Sequence, residues 1–148
     1  VGGIGQAIGD GTYVDAETVA DVVDHEEVLL RHNELHSRVF FVATVDSEVV
    51  GWVNLTTEET AKLDHTAKLT VGVLEQYRGH GIGSELLARG LEWAEDNEIE
   101  KVYNSVPASN EAAIEFLRAH GWETEAVREN HYKYDGEYID EAMLATWL

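Results

Sequence analysis

Apolar residues recur at two spacings along this chain, and the change of spacing separates predicted strands from predicted helices. Runs rich in β-branched residues predict three consecutive antiparallel strands at 39–44, 48–55 and 66–73. Asp46 and Ser47 suit the turn of the first hairpin, and Trp52 is expected to pack on one of its faces. Residues 56–64 are predicted to form a polar connection to the third strand.

A helical period begins after the third strand. Apolar side chains fall on one side of a helix that ends near Asn97, at Ile82, Leu86, Leu87, Leu91 and Ala94. A strand at 101–106 completes a strand–helix–strand unit, and a second helix is predicted between Asn110 and a stop at Gly121. Two closing strands follow, at 124–131 and 139–148, joined through Asp135-Gly136. The prediction is a single α/β (α+β) domain over 1–148, with a mixed, mostly antiparallel sheet flanked by helices.

The N-terminal part of the chain has a weaker pattern. We predict a short strand at 11–14, a helix from Ala16 that is capped by Asp15, and a second helical piece over 25–36. In that piece His32 and His36 would lie one turn apart, which suits either two solvated side chains or a shared metal. The intervening residues do not match the zinc-protease pattern, so we predict no metal.

The charge is strongly acidic, with 29 Asp and Glu against 10 Lys and Arg and a formal net charge of −19. This argues against partners such as nucleic acid or an anionic membrane, because phosphate contacts need a basic surface. An acidic surface suits a halophilic, salt-rich cytoplasm; attraction of cationic substrates is the alternative. The chain has no Cys and no apolar run long enough to cross a membrane, and we expect a cytoplasmic protein.

The stretch from Gln76 to Ser84 contains the main candidate chemistry. Gly79, Gly81 and Gly83 alternate just before a predicted helix, so the backbone there can approach a ligand closely. The first N–H groups of a helix have no intrahelical partner, and its dipole favours an anion at that end. The turn is therefore either a seat for a phosphate or a tight turn shaped for packing alone.

Two blocks of the sequence follow a recognisable pattern. The first is Gln76-Tyr77-Arg78-Gly79-His80-Gly81, which resembles the Q/R-x-x-G-x-G/A pattern of the GNAT superfamily of N-acetyltransferases. The second runs from Asn110 to Leu117 and ends in Gly121-Trp122, and the tail over 135–143 is also similar. The likeness covers about half of the chain, from Lys68 to Met143.

The resemblance implies a GNAT-like fold with a βαβ cofactor-binding core and acetyl-CoA as co-substrate, without a metal. The backbone of the turn would bind the pyrophosphate, and the end of the preceding strand, where it diverges from the next strand, would bind the pantetheine arm. The implied cofactor-binding residues are Val71, Val73, Arg78, Gly79, His80, Gly81, Ile82, Gly83, Ser84 and Asn110.

The catalytic residues are less well defined by the resemblance. Direct attack of an amine on the thioester needs an oxyanion donor, a proton acceptor and a proton source for the thiolate. A backbone N–H near Val73 is the expected oxyanion donor. Leu117 stands where many relatives have a Tyr that protonates the thiolate, and Ser105 stands where some that acetylate protein N-termini have Glu. The remaining catalytic candidates are His65, His131, Tyr132 and Tyr134, with a water chain as the alternative.

The expected function is acetyl transfer to an amine, either a small molecule or a protein, and a homodimer is a possible assembly. The alternative is a catalytically weak or inactive CoA-binding sensor of the same fold, which Leu117 favours. A nucleotide-binding turn is disfavoured, because the P-loop Lys-Ser/Thr and a ribose-reading acid are missing.

Overall fold

The described residues fold as one mixed sheet that carries two helices between its later strands. A computed structural model describes the backbone of residues 16–21, 27–35 and 38–148 and the side chains of residues 38–148. The strands are β1 (Ala16–Asp21), β2 (Glu27–Leu35), β3 (Arg38–Val45), β4 (Glu48–Thr57), β5 (Thr66–Val73), β6 (Lys101–Pro107), β7 (Glu123–Tyr134) and β8 (Glu137–Trp147). The helices are α1 (Ile82–Asp96) and α2 (Glu111–Ala119), and a 3-10 turn covers Glu75–Tyr77. Neither helix is long and apolar enough to cross a membrane.

The sheet order within the described residues is β1-β2-β3-β4-β5-β6-β8-β7. Neighbouring strands are antiparallel except β5 and β6, which are parallel and connected through α1. A parallel pair needs a long crossover, and the helix supplies it. The predicted fold class is thus confirmed, as are the three consecutive strands, the βαβ unit, the second helix and the closing hairpin.

Packing against β3, β4 and β5 explains why α1 forms where the sequence predicts it. Its fully buried side chains include Ile82, Leu86 and Leu87, and each such burial contributes roughly 1.5 to 3 kcal/mol. Gly90 allows the close approach, since a Cβ there would lie 3.1 Å from Leu55 Cδ1. On the opposite face of the sheet, Trp52 packs on a second cluster of Phe40, Val42 and Val49, as predicted for the hairpin.

The two predicted N-terminal helices are wrong. The chain from Ala16 to Asp21 is strand β1, and Glu27–Leu35 is strand β2, which pairs with β3 from Leu29↔Thr44 to Leu35↔Arg38. Val, His and Asn are weak helix formers, and pairing satisfies backbone groups along the outer edge of β3 that would otherwise lack partners. Strand pairing in the tertiary structure therefore decides the secondary structure of segments whose apolar spacing suits both a helix and a strand. The predicted strand at 11–14 and the Asp15 cap lie outside the described residues.

The premise of a histidine pair on one helix face also fails. His32 lies in β2, where residues four apart are separated by about 13 Å. His36 lies outside the described residues. Within the described part of the chain, no three His, Asp or Glu side chains are grouped as metal ligands.

Candidate functional site

A cleft opens where the parallel strands β5 and β6 separate. Their pairing covers only Thr66↔Lys101, Ala67↔Val102 and Lys68↔Tyr103, and beyond this point the strands diverge. The cleft has a volume of about 580 Å³ and is bounded by the end of β5, the glycine turn, β6 and α2. Among its lining residues are Val71, Val73, Arg78, Gly79, Gly81, Ile82, Gly83, Ser84, Asn110 and Leu117. The tertiary structure therefore brings all of the predicted cofactor-binding residues except His80 to one cavity.

The edge of β5 that faces the cleft presents free backbone groups. Leu74 N donates to Val50 O at 2.8 Å, so this N–H points towards β4. Since peptide groups alternate in direction along a strand, the N–H groups of Val71 and Val73 point to the other edge. There, the pairing with β6 has already ended. These two N–H groups are thus available to a ligand that lies along β5.

The glycine turn presents further N–H groups at the other end of the cleft. Gly79 and Gly81 have φ of 82° and 81°, values that residues with a Cβ rarely adopt. Gly81 is the N-cap of α1, and the first intrahelical hydrogen bond runs from Glu85 N to Gly81 O at 3.1 Å. The N–H groups of Ile82, Gly83 and Ser84 precede that bond, as an anion seat at a helix N-terminus requires.

Arg78 and His80 occupy different places in this turn. The Arg78 Nε donates to Val73 O at 3.1 Å, which ties the turn to the end of β5 while the side chain remains exposed. His80 is exposed and is not among the residues that line the cleft. The His80 side chain therefore does not form part of the cleft wall.

Ser84 has a side-chain partner that the sequence did not indicate. Its Oγ lies 3.0 Å from His120 Nε2, and the other ring nitrogen, Nδ1, lies 2.8 Å from Phe116 O. The imidazole also packs on the Phe116 ring, with centroids 4.6 Å apart. The two residues are 36 positions apart, so only the packing of α2 beside the first turn of α1 brings them together.

The β6 and α2 wall of the cleft combines polar and apolar side chains. Asn110 caps α2 by accepting a hydrogen bond from Ala113 N at 3.2 Å, which agrees with the predicted helix start. Leu117 lines the cleft and is 1% exposed. Its side chain has no group that can donate a proton. Ser105 also lines the cleft, from the β6 side.

A polar cluster lies next to this wall, around Glu141 of β8. Glu141 pairs with Pro107 of β6, directly after the cleft residue Val106, and only 7% of it is exposed. Tyr132 Oη donates to Glu141 Oε2 at 3.0 Å, while Arg128 Nε lies 3.2 Å from Oε1 in an ion pair. Among the residues that the structure describes, none gives Oε1 a hydrogen bond. Glu141 was not predicted from the sequence, where it is one of three carboxylates in the closing strand, together with Glu137 and Asp140.

The cluster also includes one of the predicted histidines. His131 Nε2 lies 4.0 Å from Glu141 Oε1, at the limit of an ion pair. Burial raises the pKa of Tyr132 above its ordinary value, the hydrogen bond to Glu141 adds to the rise, and the charge of Arg128 opposes it. The Tyr132 hydroxyl therefore stays protonated and remains a donor at neutral pH.

The other two catalytic candidates lie elsewhere. His65 directly precedes β5 at the end remote from the glycine turn, and it stacks on Trp147 with ring centroids 6.4 Å apart. Tyr134 is 67% exposed beside the turn between β7 and β8. Neither residue lines the cleft.

Comparison with known proteins defines the class. A model of the acetyltransferase (GNAT) family matches residues 12–122. An N-alpha-acetyltransferase of Sulfurisphaera tokodaii is 37% identical over 120 residues, which cover 73% of this chain and 70% of that protein. The L-amino acid N-acetyltransferase AaaT of Escherichia coli is 26% identical over 106 residues, covering 70% of this chain and 65% of that protein.

Solved structures agree on the fold. The crystal structure of a GNAT-family acetyltransferase from Streptococcus pneumoniae matches 78% of this chain and 70% of its own, with a TM-score of 0.72 and 24% identity. The family model and the 37% identical relative define the class as that of the acetyltransferases. The chain belongs to the acetyltransferase (GNAT) family and is an N-acetyltransferase, with acetyl-CoA as the family's co-substrate and an amine as acceptor.

Proposed function

We propose that this enzyme acetylates the α-amino group at the N-terminus of a polypeptide, with acetyl-CoA bound in the cleft between β5 and β6. The divergence of these strands beyond Lys68 and Tyr103 carries the proposal, because it joins free strand N–H groups to a helix N-terminus in a single cavity. The choice of an α-amine draws on the N-alpha-acetyltransferase that is 37% identical.

The donor would be held almost entirely by backbone groups. The N–H groups of Ile82, Gly83 and Ser84 suit the pyrophosphate, because they precede the hydrogen-bond ladder of α1. The N–H groups of Val71 and Val73 suit the amides and the thioester carbonyl of the pantetheine arm, and the one nearest that carbonyl would stabilise an oxyanion. The residues present thus fit acetyl-CoA, which supplies the activated acyl group.

The acceptor would approach beside the cluster around Glu141. Neighbouring strands lie about 4.8 Å apart, so Glu141 is one strand away from the β6 wall of the cleft. Among the described residues, the carboxylate oxygen Oε1 is buried and has no hydrogen bond, so it would accept one from an ammonium group only if its ion pair with Arg128 opened. Tyr132 and Arg128 hold the carboxylate in place.

The α-amine suits a site without a strong dedicated base. An α-amino group has a pKa of about 7.7 to 8.0, whereas that of Lys is about 10.4, so much more of the α-amine is neutral at neutral pH. The neutral amine forms the new C–N bond and the C–S bond breaks. The excess proton passes to Glu141 or to water. The CoA thiolate takes its proton from solvent, because Leu117 has none to donate.

The test is turnover of acetyl-CoA on matched acceptors. One peptide carries a free α-amine and no Lys, a second is blocked at its N-terminus and carries Lys, and single L-amino acids and a polyamine complete the panel. Released CoA is measured with a thiol reagent, against a blank without acceptor, and the protein adds no thiol of its own because the chain contains no Cys. We expect turnover with the first peptide only, and turnover confined to the blocked peptide, amino acids or polyamine would contradict the α-amine proposal.

A substitution at Glu141 distinguishes an effect on acceptor binding from an effect on CoA binding. Glu141→Gln removes the charge with little change of shape, so we expect KM for the peptide to rise while the affinity for CoA is unchanged. Lys133→Gln is a matched control in β7, since its side chain lies 5.4 Å from the ring of Tyr138 near the hairpin tip. Tight CoA binding without turnover of any acceptor would favour the non-catalytic alternative.

A further inference from the structure

The Ser84–His120 contact has a defined direction in each charge state of the imidazole. A carbonyl oxygen can only accept, so the 2.8 Å contact with Phe116 O requires a hydrogen on His120 Nδ1. In the neutral ring, Nε2 is then the acceptor, and the hydroxyl of Ser84 donates to it across 3.0 Å. In the protonated ring, Nε2 is a donor and the same contact runs in the opposite direction.

This reversal changes what Ser84 presents to the cleft. When His120 is neutral, the hydroxyl hydrogen of Ser84 is directed towards the imidazole. When His120 is protonated, Ser84 Oγ accepts from Nε2 and its own hydrogen is free for an anion. Ser84 lines the cleft in the first turn of α1, beside the open N–H groups of the glycine turn.

We propose that His120 is a positioning residue that reverses the Ser84 hydroxyl and thereby couples proton uptake to the binding of the diphosphate of CoA. This inference rests on the donor site proposed above. A free hydroxyl adds one charge-assisted hydrogen bond to the diphosphate, which is roughly equivalent to a tenfold gain in affinity.

Other charged groups in the adjoining turns of α1 and α2 could produce the same effect. On α2 these are Glu115 and Arg118, and the Arg118 Nη2 donates to Thr124 Oγ1 at 2.8 Å. On α1 and the turn they are Glu85, Arg78 and His80. Of these, only His80 belongs to the residue type that ordinarily changes charge between about pH 5 and 8, so its variant is the necessary control.

The experiment measures the Kd of dephospho-CoA by calorimetry between about pH 8 and pH 5.5. Dephospho-CoA is chosen because the 3′-phosphate of CoA itself titrates near a pKa of about 6. We expect wild-type affinity to rise about tenfold as pH falls, and to be nearly constant in both His120→Gln and Ser84→Ala. His80→Gln should retain the wild-type dependence.

Each other outcome has a distinct meaning. Unchanged pH dependence in His120→Gln would overturn the inference. If the pH dependence of the Kd disappears in His120→Gln but persists in Ser84→Ala, the inference is also overturned, because the imidazolium charge would then act without the hydroxyl. No binding of dephospho-CoA at any pH would overturn the donor site together with the inference.

A measurement on the free enzyme is independent of ligand affinity. Imidazole ¹⁵N spectra at high pH should show the hydrogen of His120 on Nδ1, and the Ser84→Ala variant should preserve it because Phe116 O is unchanged. A hydrogen on Nε2 instead would overturn the proposed direction of the contact.

Discussion

The indole of Trp52 lies over Gly72, its cross-strand partner in β5, in the space that a side chain at position 72 would occupy. A Cβ built on Gly72 would lie 2.8 Å from both Cε2 and Cη2 of Trp52, and closer still to Cζ2. Gly72 also lines the cleft. The pair therefore connects the cluster on the face opposite α1 with the strand that forms one wall of the donor site.

Replacing Gly72 by Ala should destabilise the fold, because the rigid indole must move. We expect a loss of about 1 to 3 kcal/mol in the free energy of unfolding, measured by urea denaturation. The control is a double-mutant cycle with Trp52→Ala, in which the effect of Gly72→Ala should largely disappear. If Gly72→Ala lowers the free energy of unfolding by the same amount in the Trp52→Ala background, contact with the indole is not the cause of the destabilisation.

A second prediction compares two glycines that have the same backbone conformation. Gly81 has φ of 81° in the glycine turn, and Gly136 has φ of 79° in the distant β7–β8 turn; a Cβ at either would meet nothing within 4 Å. Replacing either by Ala should therefore lower stability by a similar amount, about 1 to 2 kcal/mol. Only Gly81→Ala should also weaken CoA binding, measured by calorimetry. Equal CoA affinities in the two variants would argue against the turn as the pyrophosphate site.

A third prediction separates the two roles of Asn110. Its Oδ1 caps α2, and its amide N–H₂ is the group that would donate to the pantetheine arm. Asn110→Asp keeps a good cap but loses the donor, so stability should change little while CoA affinity falls. Asn110→Ala should lose CoA affinity and, in addition, about 0.5 to 2 kcal/mol of stability. Wild-type affinity in Asn110→Asp would leave Asn110 with a capping role alone.

The raised pKa of Tyr132 makes a prediction at alkaline pH. The folded state keeps this proton to higher pH than the unfolded chain, whose Tyr pKa is 10.0, so the contribution to stability is complete below pH 10 and is lost as pH rises through the folded pKa. Tyr132→Phe leaves Glu141 Oε2 without its donor and should lower the free energy of unfolding by about 1 to 3 kcal/mol at neutral pH. The difference between wild type and variant should shrink above pH 10. If the difference in the free energy of unfolding between wild type and Tyr132→Phe stayed constant up to pH 11, this would contradict the proposed contribution of the protonated Tyr132 hydroxyl to stability.

The net charge of −19 leads to a prediction about salt. Self-repulsion of an acidic chain is screened as ionic strength rises, since the Debye length falls from about 10 Å at 0.1 M to about 3 Å at 1 M. We expect the melting temperature to increase with NaCl over this range and beyond. A melting temperature that is independent of salt would count against the expectation of a halophilic protein.

Local chemistry explains the parts of the fold that could be predicted. The Asp46-Ser47 and Asp135-Gly136 turns, the Asn110 cap and the apolar face of α1 each depend on residues close together in sequence. The two blocks around Arg78 and Asn110 indicated the family for the same reason. In contrast, β1 and β2 were predicted as helices because their apolar spacing was ambiguous, and the pairing of β2 with β3 and of β1 with β2 decided the outcome.

The sequence by itself determined that a glycine turn precedes an amphipathic helix, that a capped second helix follows the next strand, and that the chain resembles the GNAT family. Only the tertiary structure decided where β5 and β6 diverge and which side chains on different elements then come into contact. Ser84 lies 3.0 Å from His120, and Tyr132 lies 3.0 Å from Glu141. Such contacts join residues on different elements, and their distances depend on how helices and strands pack, which no local pattern in the chain encodes.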